Sequence, residues 1–158
     1  MGKRSVKANK TIYQLSREEA GLTREEASEI MEYISDDRIE RIENERSEIR
    51  PDEVVTMSEC YKNPSLCNYY CTHECPIGRE NVDVVEKKNL TQITLEILSD
   101  LNTLEKEKNR FIEISADSTI SKDEQRDFEE IKERLESIAR SVDSLRLWIK
   151  DMELSGIK

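Results

Sequence analysis

The chain has 158 residues, of which 38% are charged and only 5% aromatic, and its net charge is −10. Its four glycines and three prolines are too few for the many turns of a β-sandwich or barrel, so the composition favours long helices with charged outer faces. An acidic chain is a poor general binder of phosphate, so any role with nucleic acid must rest on a local basic patch.

The first ten residues are basic, with Lys3, Arg4, Lys7 and Lys10 as the charged side chains. This segment lacks the apolar stretch of a signal peptide, and the chain contains no run of about 18 apolar residues that would cross a membrane. We therefore expect a cytoplasmic protein that begins with a flexible arm over residues 1–10.

Four short helices are predicted in residues 11–62, a segment that we expect to form one small domain. Three of the helices begin at a residue suited to a helix N-terminus: Thr23 and Ser35 are capping residues, Glu26 completes a capping box with Thr23, and Pro51 opens the fourth helix. The predicted spans are Ile12–Gly21, Leu22–Met31, Ile34–Asn44 and Pro51–Cys60.

Two strings in this segment carry a resemblance to a known family. They are Arg-Glu-x-Ala-Gly-Leu-Thr at residues 17–23 and Ile-x-Arg-Ile-Glu-Asn at residues 39–44, with the small residue Ala27 between them. In this order and spacing they resemble the helix-turn-helix domains of the Xre type, the class of lambda repressor and Cro. The tracts Leu66–Gly78 and Leu145–Ile149 extend the resemblance, over nearly the whole chain, to a group of Xre-type regulators from Firmicutes.

The resemblance implies a DNA-binding transcriptional regulator whose third helix enters the major groove. It also implies a structural ion pair between Arg17 and Glu43. The implied DNA-contacting residues are Arg24, Asp36, Asp37, Arg38, Arg41 and Arg46. Two adjacent aspartates at the groove-entering end are repelled by phosphate, although they can accept a hydrogen bond from cytosine. The alternative is a helix-turn-helix scaffold used for protein–protein interaction without DNA binding.

All four cysteines fall in or next to a predicted Cys-rich junction, residues 63–82, in the pattern C-x6-C-x3-C-x3-C. They are Cys60, Cys67, Cys71 and Cys75. In a cytosolic chain such a cluster more often binds a metal or is redox-active than forms a disulfide framework, and four thiolates suit zinc or an iron–sulfur cluster.

Geometry limits this metal site. On one continuous helix Cys67 and Cys75 would lie about 12 Å apart, so a single site requires the helix to break near Thr72–Cys75. His73 is an alternative fourth ligand. Two other interpretations stay open: disulfides or a redox switch, and buried cysteines that only pack the junction.

Residues 83–158 are predicted to form a long antiparallel helical hairpin. Apolar residues of the last helix recur at steps of three and four, the a/d stripe of a coiled coil: Phe128, Ile131, Leu135, Ile138, Val142, Leu145, Ile149 and Met152. A capping box at Ser121–Glu124 predicts the start of this helix, and Gly156 predicts its end. A similar stripe, Leu90 to Phe111, predicts the preceding helix.

A two-helix hairpin of this length buries one stripe per helix and leaves other apolar residues to be covered. We expect a homodimer that forms a four-helix bundle through the hairpin; the alternative is a monomer in which the hairpin folds back on the N-terminal domain. The chain contains no Gly-rich phosphate loop and no nucleophile motif with a base, so we do not expect an enzyme.

Overall fold

A computed structural model of the protein describes residues 9–117 and 119–156, so Lys3, Arg4 and Lys7 of the basic arm lie outside the described residues. Within that part there are eight helices and no strand, which confirms the all-α prediction. None of these helices combines the length and the apolar character that crossing a bilayer takes. The chain divides into two units: one holds the described residues up to Val84 together with those from Lys150, and the other is Val85–Ile149.

The first unit contains six short helices. They are α1 (Ile12–Glu19), α2 (Arg24–Met31), α3 (Asp36–Glu43), α4 (Pro51–Cys60), α5 (Ser65–His73) and α6 (Pro76–Asn81). The predicted capping box of α2 is present: the amide of Glu26 donates to Thr23 Oγ1 at 3.1 Å, and the amide of Thr23 donates to Glu26 Oε2 at 2.7 Å. The Ser35 hydroxyl accepts from the Arg38 amide at 3.2 Å and caps α3. Local capping therefore fixes where the second and third helices begin.

The core of this unit is built from α1 to α5. Its buried apolar residues are Tyr13, Ala27, Met31, Ile34, Ile39, Ile42, Ile49, Val54, Met57, Tyr61 and Leu66. Leu66 belongs to α5 and is 0% exposed, and α5 packs against α4 and α6. The Cys-rich segment therefore forms two packed helices of the first unit.

The second unit contains most of a pair of long helices, α7 (Leu90–Ser115) and α8 (Gln125–Leu154). Asp100 accepts from the Ser137 hydroxyl at 2.7 Å, and Arg110 donates to Asp127 at 2.6 Å. Since the partner number falls as the α7 number rises, the two helices are antiparallel, which confirms the predicted hairpin. An Asn89–Gln92 capping box starts α7.

The start of α8 differs from the capping box predicted at Ser121–Glu124. The Glu124 carboxylate does accept from the Ser121 amide, at 3.0 Å. The Ser121 hydroxyl, however, donates to the same carboxylate at 2.6 Å, and the helix begins only at Gln125. Gly156 follows the helix with a φ of +75°, the left-handed conformation that favours glycine at a helix C-terminus.

Candidate functional site

The candidate site is the outer face of α3 together with the start of α2, two helices joined by a turn over residues 32–35. The amide of Tyr33 donates to the carbonyl of Met31 at 2.7 Å, and Glu32 between them has φ +61° and ψ −49°. This is the strained form of the γ-turn, with positive φ at its central residue. The Tyr33 hydroxyl bonds to the Thr56 hydroxyl of α4, so the turn is anchored to the fourth helix.

A buried carboxylate holds the C-terminal end of α3. Glu43 is 1% exposed and accepts from Arg17 of α1 at 2.5 and 3.0 Å. Arg24 of α2 donates to the same carboxylate at 2.8 Å, and Arg17 also donates to the carbonyl of Leu22 at 2.7 Å. Burial acts to lower the pKa of Arg17, but Glu43 outweighs it and the net shift is upward. The structure thus brings Arg17 and Glu43 together, and three helices meet at one carboxylate.

A second guanidinium–carboxylate pair holds the N-terminal half of α3. Arg38 donates to both oxygens of Glu53 in α4, at 2.7 Å each. Its other contacts are the Ser47 hydroxyl at 2.6 Å and the Glu48 carbonyl at 2.7 Å. The geometry is the bidentate arrangement that gives arginine–carboxylate pairs their strength. Arg38 was assigned to DNA by resemblance, but four of its five N–H donors are already used within the fold.

The sequence held a signal that Arg38 has a partner within the fold, but not which residue the partner is. Arg38 stands one turn before Ile42, which is 3% exposed in the core, so both residues point to the inner side of the helix. Burial acts to raise the pKa of Glu53, yet the hydrogen bonds from Arg38 and from the Arg50 amide hold it below its ordinary value. A charged side chain on the inner side of a helix indicates a partner in a neighbouring element.

The outer side of α3 presents mostly carboxylates. Asp36, Asp37 and Arg41 are exposed. Arg41 has no hydrogen bond or ion pair from its side chain within the part of the chain that the structure describes. Arg46, 69% exposed, lies 3.8 Å from Glu40, a contact too long for a hydrogen bond.

Charge therefore distinguishes this face from an ordinary nucleic-acid surface. Residues 24–43 hold three arginines and eight carboxylates, a net charge of −5. Arg24 and Arg38 are bound to Glu43 and Glu53, so Arg41 is the arginine of this segment that remains available. A partner of this face meets one free guanidinium beside Asp36 and Asp37.

The four cysteines lie along the last helices of the first unit. Cys60 ends α4, Cys67 and Cys71 lie one turn apart on α5, and Cys75 caps α6. All four are half-buried free thiols. Burial raises the pKa of Cys60, and burial together with Cys75 and Cys67 raises the pKa of Cys71. In the described residues no three cysteine, histidine or carboxylate side chains are grouped closely enough to hold a metal.

The predicted break in the helix between Cys71 and Cys75 is present. The helix α5 ends at His73, and the Cys75 sulfur accepts from the Gly78 amide at 3.4 Å as α6 begins. A Cβ atom on Gly78 would lie 2.1 Å from the carbonyl oxygen of Cys71. This close approach, which only glycine permits, sets α6 against the end of α5.

His73, considered as a fourth ligand, packs elsewhere. Its ring stacks on Tyr69 with a centroid distance of 4.3 Å, and Tyr69 meets Tyr13 edge-on at 6.2 Å. Its Nδ1 lies 3.1 Å from the Tyr69 carbonyl.

Comparisons of the chain with protein-family models, with curated proteins and with solved structures find no match.

Proposed function

We propose that the protein is a DNA-binding transcriptional regulator that reads duplex DNA with the outer face of α3. The observation that carries the proposal is Arg41, exposed on a helix that is held at both ends. Arg38–Glu53 fixes the N-terminal half of that helix and Glu43 fixes its C-terminal end. Rigid placement of a helix by its supporting residues favours readout of base edges, because a recognition contact depends on its geometry.

The base contacts follow from the chemistry of two side chains. Asp37 and Arg41 lie four residues apart and so share one face of α3. An arginine donates in bidentate fashion to O6 and N7 of guanine, and a carboxylate accepts from N4 of cytosine. The proposed site therefore contains a guanine and a cytosine within the few base pairs that one helix turn spans.

Phosphate contacts are few in this proposal. Arg46 and Arg50 are more than two-thirds exposed, although Arg50 is paired with Asp52. Because the affinity of nonspecific binding and its dependence on salt both grow with the number of phosphates neutralised, we expect weak nonspecific binding and a shallow salt dependence. Specificity then rests on base contacts to an unusual degree.

A second candidate is a protein-docking module that uses the same scaffold. The net charge of −5 over residues 24–43 and the engagement of Arg24 and Arg38 within the fold favour it. Such a face would attract a basic protein surface through electrostatic complementarity. The two candidates differ in what Asp36 and Asp37 do: they repel phosphate in the first and bind the partner in the second.

Selection from a pool of random duplexes at about 50 mM salt separates the candidates. DNA binding predicts an enriched sequence, and Arg41→Ala should weaken binding to it about tenfold or more, since a good bidentate base contact is worth about 1–3 kcal/mol. Arg126→Ala, which removes an exposed arginine of α8, is the matched control and should change nothing. If no sequence is enriched and the two variants behave alike, DNA binding is excluded and protein docking is the remaining candidate.

A further inference from the structure

The pair of helices α7 and α8 is joined by polar contacts and has only a small set of fully buried apolar side chains. Asp100 accepts from Ser137 at 2.7 Å and from Arg134 at 3.2 Å. Ser141 and Ser144 of α8 are 4% and 5% exposed. Among the described residues of the two helices, the buried large apolar side chains are Ile93, Ile114 and Ile131. A unit of this size with so small an apolar core is rarely stable alone.

Part of the predicted coiled-coil stripe stays open to solvent. Leu135, Val142 and Ile149 are spaced by seven residues and are 39%, 36% and 43% exposed. Arg134 precedes Leu135 and contacts Asp100 of α7. Ser141 precedes Val142 and is buried. One position on a helix is a rotation of about 100°, so the row of Leu135, Val142 and Ile149 points to one side of the contact between the two helices.

The first residue of this open row, Leu135, also lines an apolar groove that both helices form. Phe111 of α7 and Phe128 and Leu135 of α8 line a cavity of about 340 Å³. Lys132 and Glu136 also line it, so two opposite charges stand one turn apart at an apolar surface. An exposed apolar groove with a charged rim is typical of an interaction surface.

We propose that a second copy of this chain occupies the groove, so that two hairpins form a four-helix bundle through α8. Two features select a second copy over another partner. The seven-residue spacing of the open row is the spacing at which helices pack as coiled coils. In a two-fold interface centred near Leu135, Lys132 of each copy meets Glu136 of the other, so the rim is complementary to itself.

The proposed interface runs along α8, which has 30 residues, and includes α7 where Phe111 lines the groove. The part-buried Asp100–Arg134 contact adds a polar position within each hairpin, a device that fixes the register of packed helices. The proposal does not depend on what α3 binds.

Sedimentation equilibrium of the full chain at about 20 μM, a concentration that detects dimers of micromolar affinity, tests the proposal. The wild-type chain should have the mass of a dimer. Leu135→Glu should weaken dimerisation about tenfold or more, because it places a charge at the centre of an apolar interface. Leu95→Glu, at a leucine of α7 that is 63% exposed and outside the groove, is the control and should remain dimeric. A monomeric wild-type chain overturns the proposal.

A mixing experiment keeps the test independent of folding defects. Lys132→Glu and Glu136→Lys each place like charges across the two-fold interface, so each variant alone should dimerise less tightly than the wild type at low salt. An equal mixture should recover dimer, because the heterodimer restores both opposite-charge pairs. The Lys132–Glu136 contact within one helix, at 3.9 Å, cannot give this recovery. A mixture that stays as monomeric as its components overturns the proposed interface.

Discussion

Arg38 and Glu53 lie 15 residues apart in sequence and form a bidentate ion pair that ties the start of α3 to α4. At the other end of α3, Glu43 binds Arg17 and Arg24. The third helix is thus held by two carboxylates, one contributed by α4 and one by its own last turn. The same contacts also engage Arg24 of α2 and Arg38 of α3, so neither arginine is free for a partner of this face.

Glu53→Gln should lower the free energy of unfolding by about 1–3 kcal/mol, because it removes the charge of a carboxylate that is 7% exposed and binds Arg38 in bidentate fashion. Urea denaturation at pH 7 measures the change. Arg50→Ala removes the exposed pair with Asp52 and should leave stability nearly unchanged. Equal losses in the two variants would contradict a structural role for Arg38.

The same pair has a defined pH dependence. The folded pKa of Glu53 is held below the ordinary value of 4.5, so its contribution to stability is fully present above pH 4.5 and is lost as pH falls through the folded pKa. The stability difference between the wild type and Glu53→Gln should therefore be constant from pH 5 to 7 and shrink in more acidic solution. If the stability difference between the two proteins grows as the pH falls, the prediction that the Glu53 carboxylate is stabilised by Arg38 is wrong.

Arg17 and Arg24 bind the same carboxylate from different environments, and their variants should differ accordingly. Arg17 is 8% exposed and Arg24 is 32% exposed. Arg17→Met should cost about 3–5 kcal/mol because it leaves Glu43 buried with one partner, whereas Arg24→Met should cost about 1 kcal/mol. Thermal unfolding of both variants checks the order. The reverse order would show that Arg24 is the main partner of Glu43.

Local signals predicted the starts of α2, α3 and α4 well because each start is marked by a nearby residue. Thr23, Ser35 and Pro51 act within a few positions of themselves, and the helices begin beside them. The apolar periodicity of Leu90–Phe111 and Phe128–Met152 likewise predicted the two long helices. These features are local, and one sequence is enough to read them.

The site was less predictable because its decisive contacts are between distant residues. Nothing near Arg38 marks Glu53 as its partner, so resemblance placed Arg38 on the DNA face. Similarly, the a/d stripe predicted which side of α8 is apolar but not that Ser137 and Ser141 would lie nearer to α7. Contacts set by the packing of whole helices depend on angles and distances that a periodic pattern does not specify.

Glu32 holds the positive φ of the γ-turn between α2 and α3, and glycine adopts this conformation without the clash of a Cβ atom. We expect Glu32→Gly to raise the free energy of unfolding by about 1 kcal/mol. Glu29→Gly, an exposed position inside α2, should instead lower it by about 1 kcal/mol. Chemical denaturation of the two variants measures both changes. A loss of stability in Glu32→Gly would contradict the strained turn.

Zinc or an iron–sulfur cluster at Cys60, Cys67, Cys71 and Cys75 stays a prediction, because no three potential ligands are grouped in the described residues. Binding would require the corner between α5 and α6 to close around the ion. If the prediction is right, elemental analysis of protein purified without oxygen should find about one bound zinc ion or one iron–sulfur cluster per chain. Cys71→Ser should lose the metal, because it removes a thiolate from the middle of the cluster.

The contact between Gly78 and Cys71 gives a second variant that leaves every thiol in place. Gly78→Ala puts a methyl group against the Cys71 carbonyl, so α6 and its capping residue Cys75 must move away from α5. We expect this variant to lose the metal and to be destabilised by about 1–3 kcal/mol, whereas Arg79→Ala, the exposed neighbour, should retain both metal and stability. The metal prediction is wrong if the wild-type protein carries far less than one metal per chain and all four thiols can be titrated. The cysteines would then be packing residues of the α5–α6 corner.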